Sequence, residues 1–137
     1  MKIWLRMQLS AVFTSLLATS ESLAGTVLRL ALGIMILPHG LQKTIGAPWI
    51  FALLAILAES VGGIMLIAGA GTRLAALGVG GVMLVAATQH RANGFFMNWT
   101  GQQKGEGIEF HLLALGIVVA LLILGGGRFS VDSMIKR

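Results

Sequence analysis

"RLALGIMILPHGLQK", residues 29–43, sets an arginine at one end, a histidine and a lysine at the other, and almost nothing but hydrocarbon between them. An unpaired arginine at the centre of a bilayer costs about 2.5–3.5 kcal/mol on the insertion scale. A run this apolar that keeps an arginine therefore predicts a membrane-spanning helix whose charge faces other helices and not lipid.

The rest of the chain repeats the pattern. Of 137 residues, 56% are hydrophobic and 11% charged, and the mean hydropathy is +0.89, whereas a soluble domain carries roughly 25% charged residues. Four apolar stretches stand out: Leu23 to Leu41, Ile50 to Ala70, Leu74 to Gln89, and Ile108 to Leu124. Each approaches the ~20 residues that a helix rising 1.5 Å per residue needs to cross about 30 Å of hydrocarbon. The expected fold class is all-α, a four-transmembrane-helix bundle. No long polar segment or Ser/Pro linker marks a second domain. The division read from the sequence is an N-terminal extension over 1–21, a four-helix membrane domain over 22–132 and a basic tail over 133–137. With no cysteine in the chain, disulfides, iron–sulfur clusters, cysteine-ligated zinc and a dithiol relay are excluded.

Basic residues fall unevenly on the two sides. Lys2, Arg6, Arg29, Arg73, Arg128, Lys136 and Arg137 share one side, and Lys43, Arg91 and Lys104 the other, so the positive-inside rule predicts that both termini are cytoplasmic. The formal charge of +5 is scattered over helix ends, which fits lipid anchoring and gives no nucleic-acid surface. The turns "GAP" (Gly46 to Pro48), "GAGT" (Gly69 to Thr72) and "GGG" (Gly125 to Gly127) punctuate the spans. Trp49, Phe95, Phe96 and Trp99 occupy the outer boundary, where aromatic belts belong. At the N-terminus, Lys2 and Arg6 precede a moderately apolar run with Ala18 and Ser20 after it, a pattern that also fits a cleaved leader. The preferred reading is an amphipathic interfacial segment with Trp4, Val12, Phe13 and Leu16 among its apolar residues. The long loop Arg91 to Gly107 reads equally as a lid or as an interfacial loop dipping its aromatics into lipid.

Two constellations carry chemistry. Arg29 lies roughly 9 Å deep from one side and Glu59 roughly 14 Å from the other, leaving about 7 Å between their levels, so the two are expected to pair. Arg29, Gly33, Leu37 and Gly40 form one helical stripe, and Ala55, Glu59, Gly63 and Leu66 another, with small residues allowing close helix approach. Such a pair is either purely structural or a proton-carrying or headgroup-binding carboxylate with its counter-ion.

The second constellation is at the outer end. His39 closes the first span, His90 closes the third and His111 opens the fourth; Glu106, Glu109, Lys43 and Arg91 join them. Imidazole and carboxylate suit a metal, yet no two of these residues form an i, i+4 chelating pair, and Glu109 and His111 lie on nearly opposite faces. No metal site is assigned. The same residue types serve a quinone or similar lipid-soluble carrier, whose ring takes up and releases protons as electrons move. On a carrier-site reading, which rests on a family resemblance, the expected catalytic set is Glu59, His90, Glu109 and His111, and the expected substrate-binding set is Arg29, His39, Lys43, Arg91 and Trp99; for any single histidine the alternative is an interfacial hydrogen-bonding role. "GVGGVM" from Gly78 lacks the strand and turn of a dinucleotide loop and reads as close helix packing.

"LRLALGIMILPHGLQK", "ESVGGIMLIAGAGTRLAA" and "GGGRFSVD" resemble, in that order, the signatures of the DoxX family of small four-helix membrane proteins, from Leu28 to Asp132. By position, Arg29, Gly33, Gly40 and Lys43 match its first-helix pattern, Glu59, Gly69, Thr72 and Arg73 its second, and Gly127, Ser130 and Asp132 its closing motif. The resemblance implies a multi-pass protein of a prokaryotic cytoplasmic (inner) membrane. It also implies a quinone-linked oxidoreductase or its membrane subunit; some relatives form the small subunit of a thiosulfate:quinone oxidoreductase. No flavin, haem or nicotinamide motif is visible, so electrons would come from a partner protein or from the quinol. Two alternatives stand beside this reading: a noncatalytic assembly or binding protein, and a small proton-coupled carrier using Glu59, which with four helices would call for a homo-oligomer.

Overall fold

The computed structural model describes residues 2–44 and 49–135, without the side chains of Lys2, Phe13 and Trp49. The turn expected at Gly46 to Pro48, the belt position of Trp49 and the basic pair Lys136 and Arg137 lie outside the described residues.

The described chain is helical, with no strand. It runs α1 (Lys2–Leu16), α2 (Leu23–Gln42), α3 (Trp49–Ile56), a π-helical turn (Leu57–Val61), α4 (Gly62–Ala68), α5 (Thr72–His90), a 3-10 turn (Arg91–Asn93), α6 (Glu109–Leu124) and α7 (Val131–Ile135). Helix α3, the π turn and α4 form one continuous rod. Three segments, Leu23–Gln42, Ile50–Ala68 and Thr72–Asn93, are long and apolar enough to cross a membrane; α6 is shorter. The start of α2 is fixed by Ser22, whose Oγ accepts the Ala24 N–H at 3.0 Å, satisfying one of the free donors at a helix N-terminus. Gly69 ends α4 in the left-handed conformation at φ 69°, as a C-terminal glycine does.

Each spanning segment packs on its neighbours in sequence, and α6 against α2 closes the ring. Leu32, Ile36, Leu66, Ala76, Val79, Ala114 and Leu121 fill the centre with no exposed surface. Ile34, Leu54, Ile64, Leu74, Leu84, Leu113 and Ile123 instead lie on the outside. Water would oppose an apolar perimeter of that extent, and lipid would accept it.

The seam between α2 and the α3–α4 rod is set by the expected stripes. A Cβ on Gly33 would stand 3.0 Å from the Gly63 carbonyl oxygen, one on Gly63 would stand 3.1 Å from Leu37 Cα, and one on Gly40 would stand 2.6 Å from Ser60 N. A Cβ would overlap backbone at Gly40 and would force its neighbours to give by a few tenths of an ångström at Gly33 and Gly63, so the helices meet backbone to backbone.

Arg29 does face inward, at 2% exposure, but it does not pair with Glu59. Its Nε donates to the Gly126 carbonyl at 2.8 Å and its Nη1 to Leu66 at 3.0 Å, with further donations to the carbonyls of Ile67 and Phe129. The reason is directional. Side chains on a helix tilt toward its own N-terminus, and α2 and the α3–α4 rod are antiparallel, so Arg29 and Glu59 reach away from each other. Depth along the axis brought them within range; the tilt separates them. Arg29 instead caps the last turn of α4, whose carbonyls lack helical partners.

Asp132 completes this end. Its carboxylate accepts the N–H groups of Gly71 at 2.6 Å and Thr72 at 2.9 Å, and its own N–H donates to the Gly69 carbonyl at 2.9 Å. The negative charge sits at the N-terminus of α5, where the helix dipole favours it, and within electrostatic range of Arg29. Asp132→Asn keeps the shape and removes the charge. It should lower stability by about 1–2 kcal/mol, as read by denaturation in detergent. No change in that measurement would mean that the cap is indifferent to charge.

Candidate functional site

The opposite end of the ring holds a cavity of about 700 Å³. Its wall is mostly apolar, contributed by α2, α3, α5 and α6, and its polar groups are His39, Lys43, Glu59, Gln89, His90 and His111. Glu59 is 2% exposed and receives a hydrogen bond from the Lys43 ammonium, whose side chain is 38% exposed. One buried carboxylate is thus tied to a cation at the cavity edge. Because Glu59 occupies the centre of the π turn, it is displaced from the register a regular α-helix would give. Single π turns of this kind recur at functional sites.

Four rings form the other polar element. His90 and His111 stack at 5.0 Å between centroids and 23° between planes; Phe110 meets His111 edge-on at 5.6 Å; His39 stacks on Phe110 at 5.8 Å. The arc joins residues from three helices, since α2 and α5 end where α6 begins. His39 Nδ1 lies 2.9 Å from the Met35 carbonyl. As a carbonyl only accepts, Nδ1 carries the proton and Nε2 is left as the acceptor of the neutral ring. His111 is buried, with the Gly107 backbone as its hydrogen-bond neighbour; among the described residues its Nδ1 makes no close, well-aligned hydrogen bond. A buried ring nitrogen whose hydrogen bond is poorly aligned can still take a better-placed polar partner.

Five of the nine expected site residues line this cavity: His39, Lys43, Glu59, His90 and His111. The other four do not. Arg29 is at the far end, its donors taken by backbone carbonyls. Glu109 turns into the loop, where its Oε2 accepts the Met97 N–H at 3.2 Å. Arg91 is exposed, and Trp99 is 83% exposed at the loop tip. The loop itself is no lid in this structure, for none of residues 91–107 lines the cavity. Its neck is tied by Glu109 N–H to the Phe95 carbonyl at 2.8 Å and Ile108 N–H to the Gly94 carbonyl at 3.3 Å, and Glu106 Oε2 accepts the Asn98 N–H at 2.8 Å. Among the described residues no group of three His, Cys, Asp or Glu side chains gathers in a metal-holding arrangement.

Sequence reasoning missed three features. Lys43 is the partner of Glu59 and not merely a rim charge; the i to i+16 spacing across a turn gave no periodic signal. Phe110 links the histidines, yet it reads as one more apolar residue of the fourth span. Of the "GVGGVM" glycines, only Gly80 is explained by close packing, its Cβ position lying 2.9 Å from Val118 Cγ1; nothing lies within 4 Å of a Cβ on Gly81.

The comparison with known families agrees with this architecture. A model of the DoxX family matches residues 24–99, more than half of the chain. The chain belongs to the DoxX family. The match takes in the glycine seam, the Lys43–Glu59 pair and His39 and His90; the "GGGRFSVD" segment that folds over Arg29 lies beyond it. Family membership together with the apolar helices makes this DoxX protein a multi-pass membrane protein. No curated protein and no solved structure gives a significant match to the DoxX chain.

Proposed function

We propose that this protein acts in the cytoplasmic (inner) membrane of a prokaryote as a quinone-linked oxidoreductase or its membrane subunit, with the cavity receiving the ring of the carrier. The observation that carries the reading is the convergence, inside one largely apolar chamber, of the His39–Phe110–His111–His90 arc and the Lys43–Glu59 pair. A flat ring matches an aromatic wall by offset stacking, and the imidazoles offer hydrogen bonds to its oxygens. The volume fits: an apolar cavity of roughly 150 Å³ already holds a benzene-sized ring, and about 700 Å³ is present.

When bound, a quinone supplies reversible two-electron, two-proton chemistry. The residues of this chain bind and orient the ring, and exchange its protons. Imidazole is suited to proton exchange near neutral pH. Lys43, at the aqueous edge, holds Glu59 in position and connects it with solvent. Electrons come from a redox partner protein or from the quinol. The seven-to-three distribution of basic residues supports cytoplasmic termini and, with them, a cavity toward the outer face. In that frame α1, with Ile3, Trp4, Leu5, Leu9 and Val12 exposed, rests along the cytoplasmic interface. It is anchored there by Arg73, whose guanidinium bridges the Ser15 carbonyl at 2.7 Å and the Ile123 carbonyl at 3.0 Å.

A noncatalytic scaffold is the second reading, favoured by the Arg29 and Asp132 bonds, which join helix ends and touch no cavity. Quinone extraction from purified protein separates the two. Wild type should retain quinone, and His111→Leu and Glu59→Gln should each lose at least tenfold of it at unchanged melting temperature, while Arg91→Ala retains it. Equal quinone content in all four proteins, or none in any, would remove the redox reading.

A further inference from the structure

The cavity is larger than a ring requires, and among the described residues it is not closed toward lipid. The rod and α5 are in contact low down, where a Cβ on Gly62 of α4 would lie 3.6 Å from Val79 Cγ2 and one on Gly78 would lie 3.6 Å from Cβ of Ala58 in the π turn. Toward the histidine end the α3–α4 rod and α5 part. Phe51 and Leu54 on α3, and Leu77, Gly81 and Val85 on α5, line the same cavity and are also exposed on the outside of the bundle. A residue that is at once cavity wall and outer surface marks a mouth. This one opens above those contacts and stretches from Gly81 to Gln89, about 12 Å along α5 at 1.5 Å per residue. It carries no charged side chain; the charges of Lys43 and Glu59 lie at the inner end.

Resting on the carrier-site reading above, we propose that this cleft is a lateral entrance from the bilayer, and that its occupant is the alkyl or isoprenoid chain of the carrier whose ring sits against the histidines. Three observations support that occupant. The apolar cleft is continuous with the polar chamber, so a molecule lying in both must be amphiphilic. The volume beyond the ring suits a flexible chain, since chambers of ~300–1000 Å³ hold whole drug-sized ligands. Buried His111, stacked on His90 in the same cavity, supplies the polar end. Gly81 is the threshold: it leaves open the space through which the chain passes, and a Cβ there would meet nothing within 4 Å.

The test is binding to wild type and to Gly81→Phe and Gly81→Leu in phosphatidylcholine nanodiscs. The probes are a tail-less methyl-substituted benzoquinone and its decyl analogue, with affinities corrected for partitioning into protein-free discs. Wild type should favour the decyl probe at least tenfold, and the preference should vanish in Gly81→Phe and shrink in Gly81→Leu, with melting temperatures at or above that of wild type. An undiminished preference in Gly81→Phe would overturn the lateral entrance and leave the ring site standing. Loss of both probes together in the variants would place the ring itself at Gly81, which also overturns it. If wild type binds neither probe, the carrier-site reading falls and the entrance with it. Should crosslinks between Gly81→Cys copies show the cleft covered by a second copy of the chain, the occupant named here is wrong.

Discussion

Arg29→Met should destabilise the bundle by about 3–5 kcal/mol, the range found when one member of a buried charged arrangement is removed, and Arg29→Lys should recover about half of that. Methionine fills the volume but donates nothing, so the carbonyls of Leu66 and Gly126 lose a donor in a buried setting and those of Ile67 and Phe129 in a partly buried one. Each unmet buried group costs about 1–3 kcal/mol, softened because a carbonyl can share another donor. Lysine keeps the charge and three donors but lacks the planar fork that addresses both sides of the site at once. Unfolding followed by circular dichroism in detergent reads the difference. A methionine variant within about 1 kcal/mol of wild type would mean that the closing segment is held by its backbone turns alone.

Gly40→Val should rank second, at about 3 kcal/mol, and should abolish quinone retention as well. The added Cβ would meet Ser60 N at 2.6 Å and the Glu59 carbonyl carbon at 2.8 Å. Both are backbone atoms, which cannot swing aside as a side-chain end can. Overpacking by a methylene costs about 1–3 kcal/mol, and valine adds more than one, while the helix regains only several tenths of a kcal/mol on losing a glycine. Because the clash falls on the residue pair that carries the carboxylate, Glu59 moves away from Lys43. The same denaturation assay and quinone extraction apply. Loss of retention with full stability would contradict the geometry, since the seam could not then have opened.

Much of this was legible in the sequence for reasons that can be named. The spans were visible because lipid demands continuous apolar runs, and the helix limits observed at Leu23–Gln42 and Thr72–His90 fall within a few residues of those drawn from hydropathy. The α2 seam was visible because Gly33, Leu37 and Gly40 recur at helical spacing, and the histidine cluster because antiparallel helices bring alternate ends to one depth. The Arg29–Glu59 pair failed because axial rise was counted and side-chain tilt was not. Glu109 failed for a related reason: at the first turn of α6 its carboxylate had an unpartnered loop N–H, that of Met97, closer to hand than the cavity. The open cleft was out of reach because a glycine that packs and a glycine that leaves room read identically; Gly80 and Gly81 are adjacent and differ in just this respect.

The π turn at Leu57–Val61 uncouples the two halves of its rod. Each residue advances a helix by about 100°, so an extra one taken up in a wide turn rotates everything from Trp49 to Ile56 relative to Gly62 and beyond. The glycine contacts that bind the rod to α2 and the α3 residues that line the cavity therefore answer to separate requirements. Substitutions at Phe51, Ala52 or Ala55 can reshape what the chamber admits while Gly63 and Leu66 stay seated. Deleting one residue of the turn would restore a regular helix and swing one half out of alignment with the other.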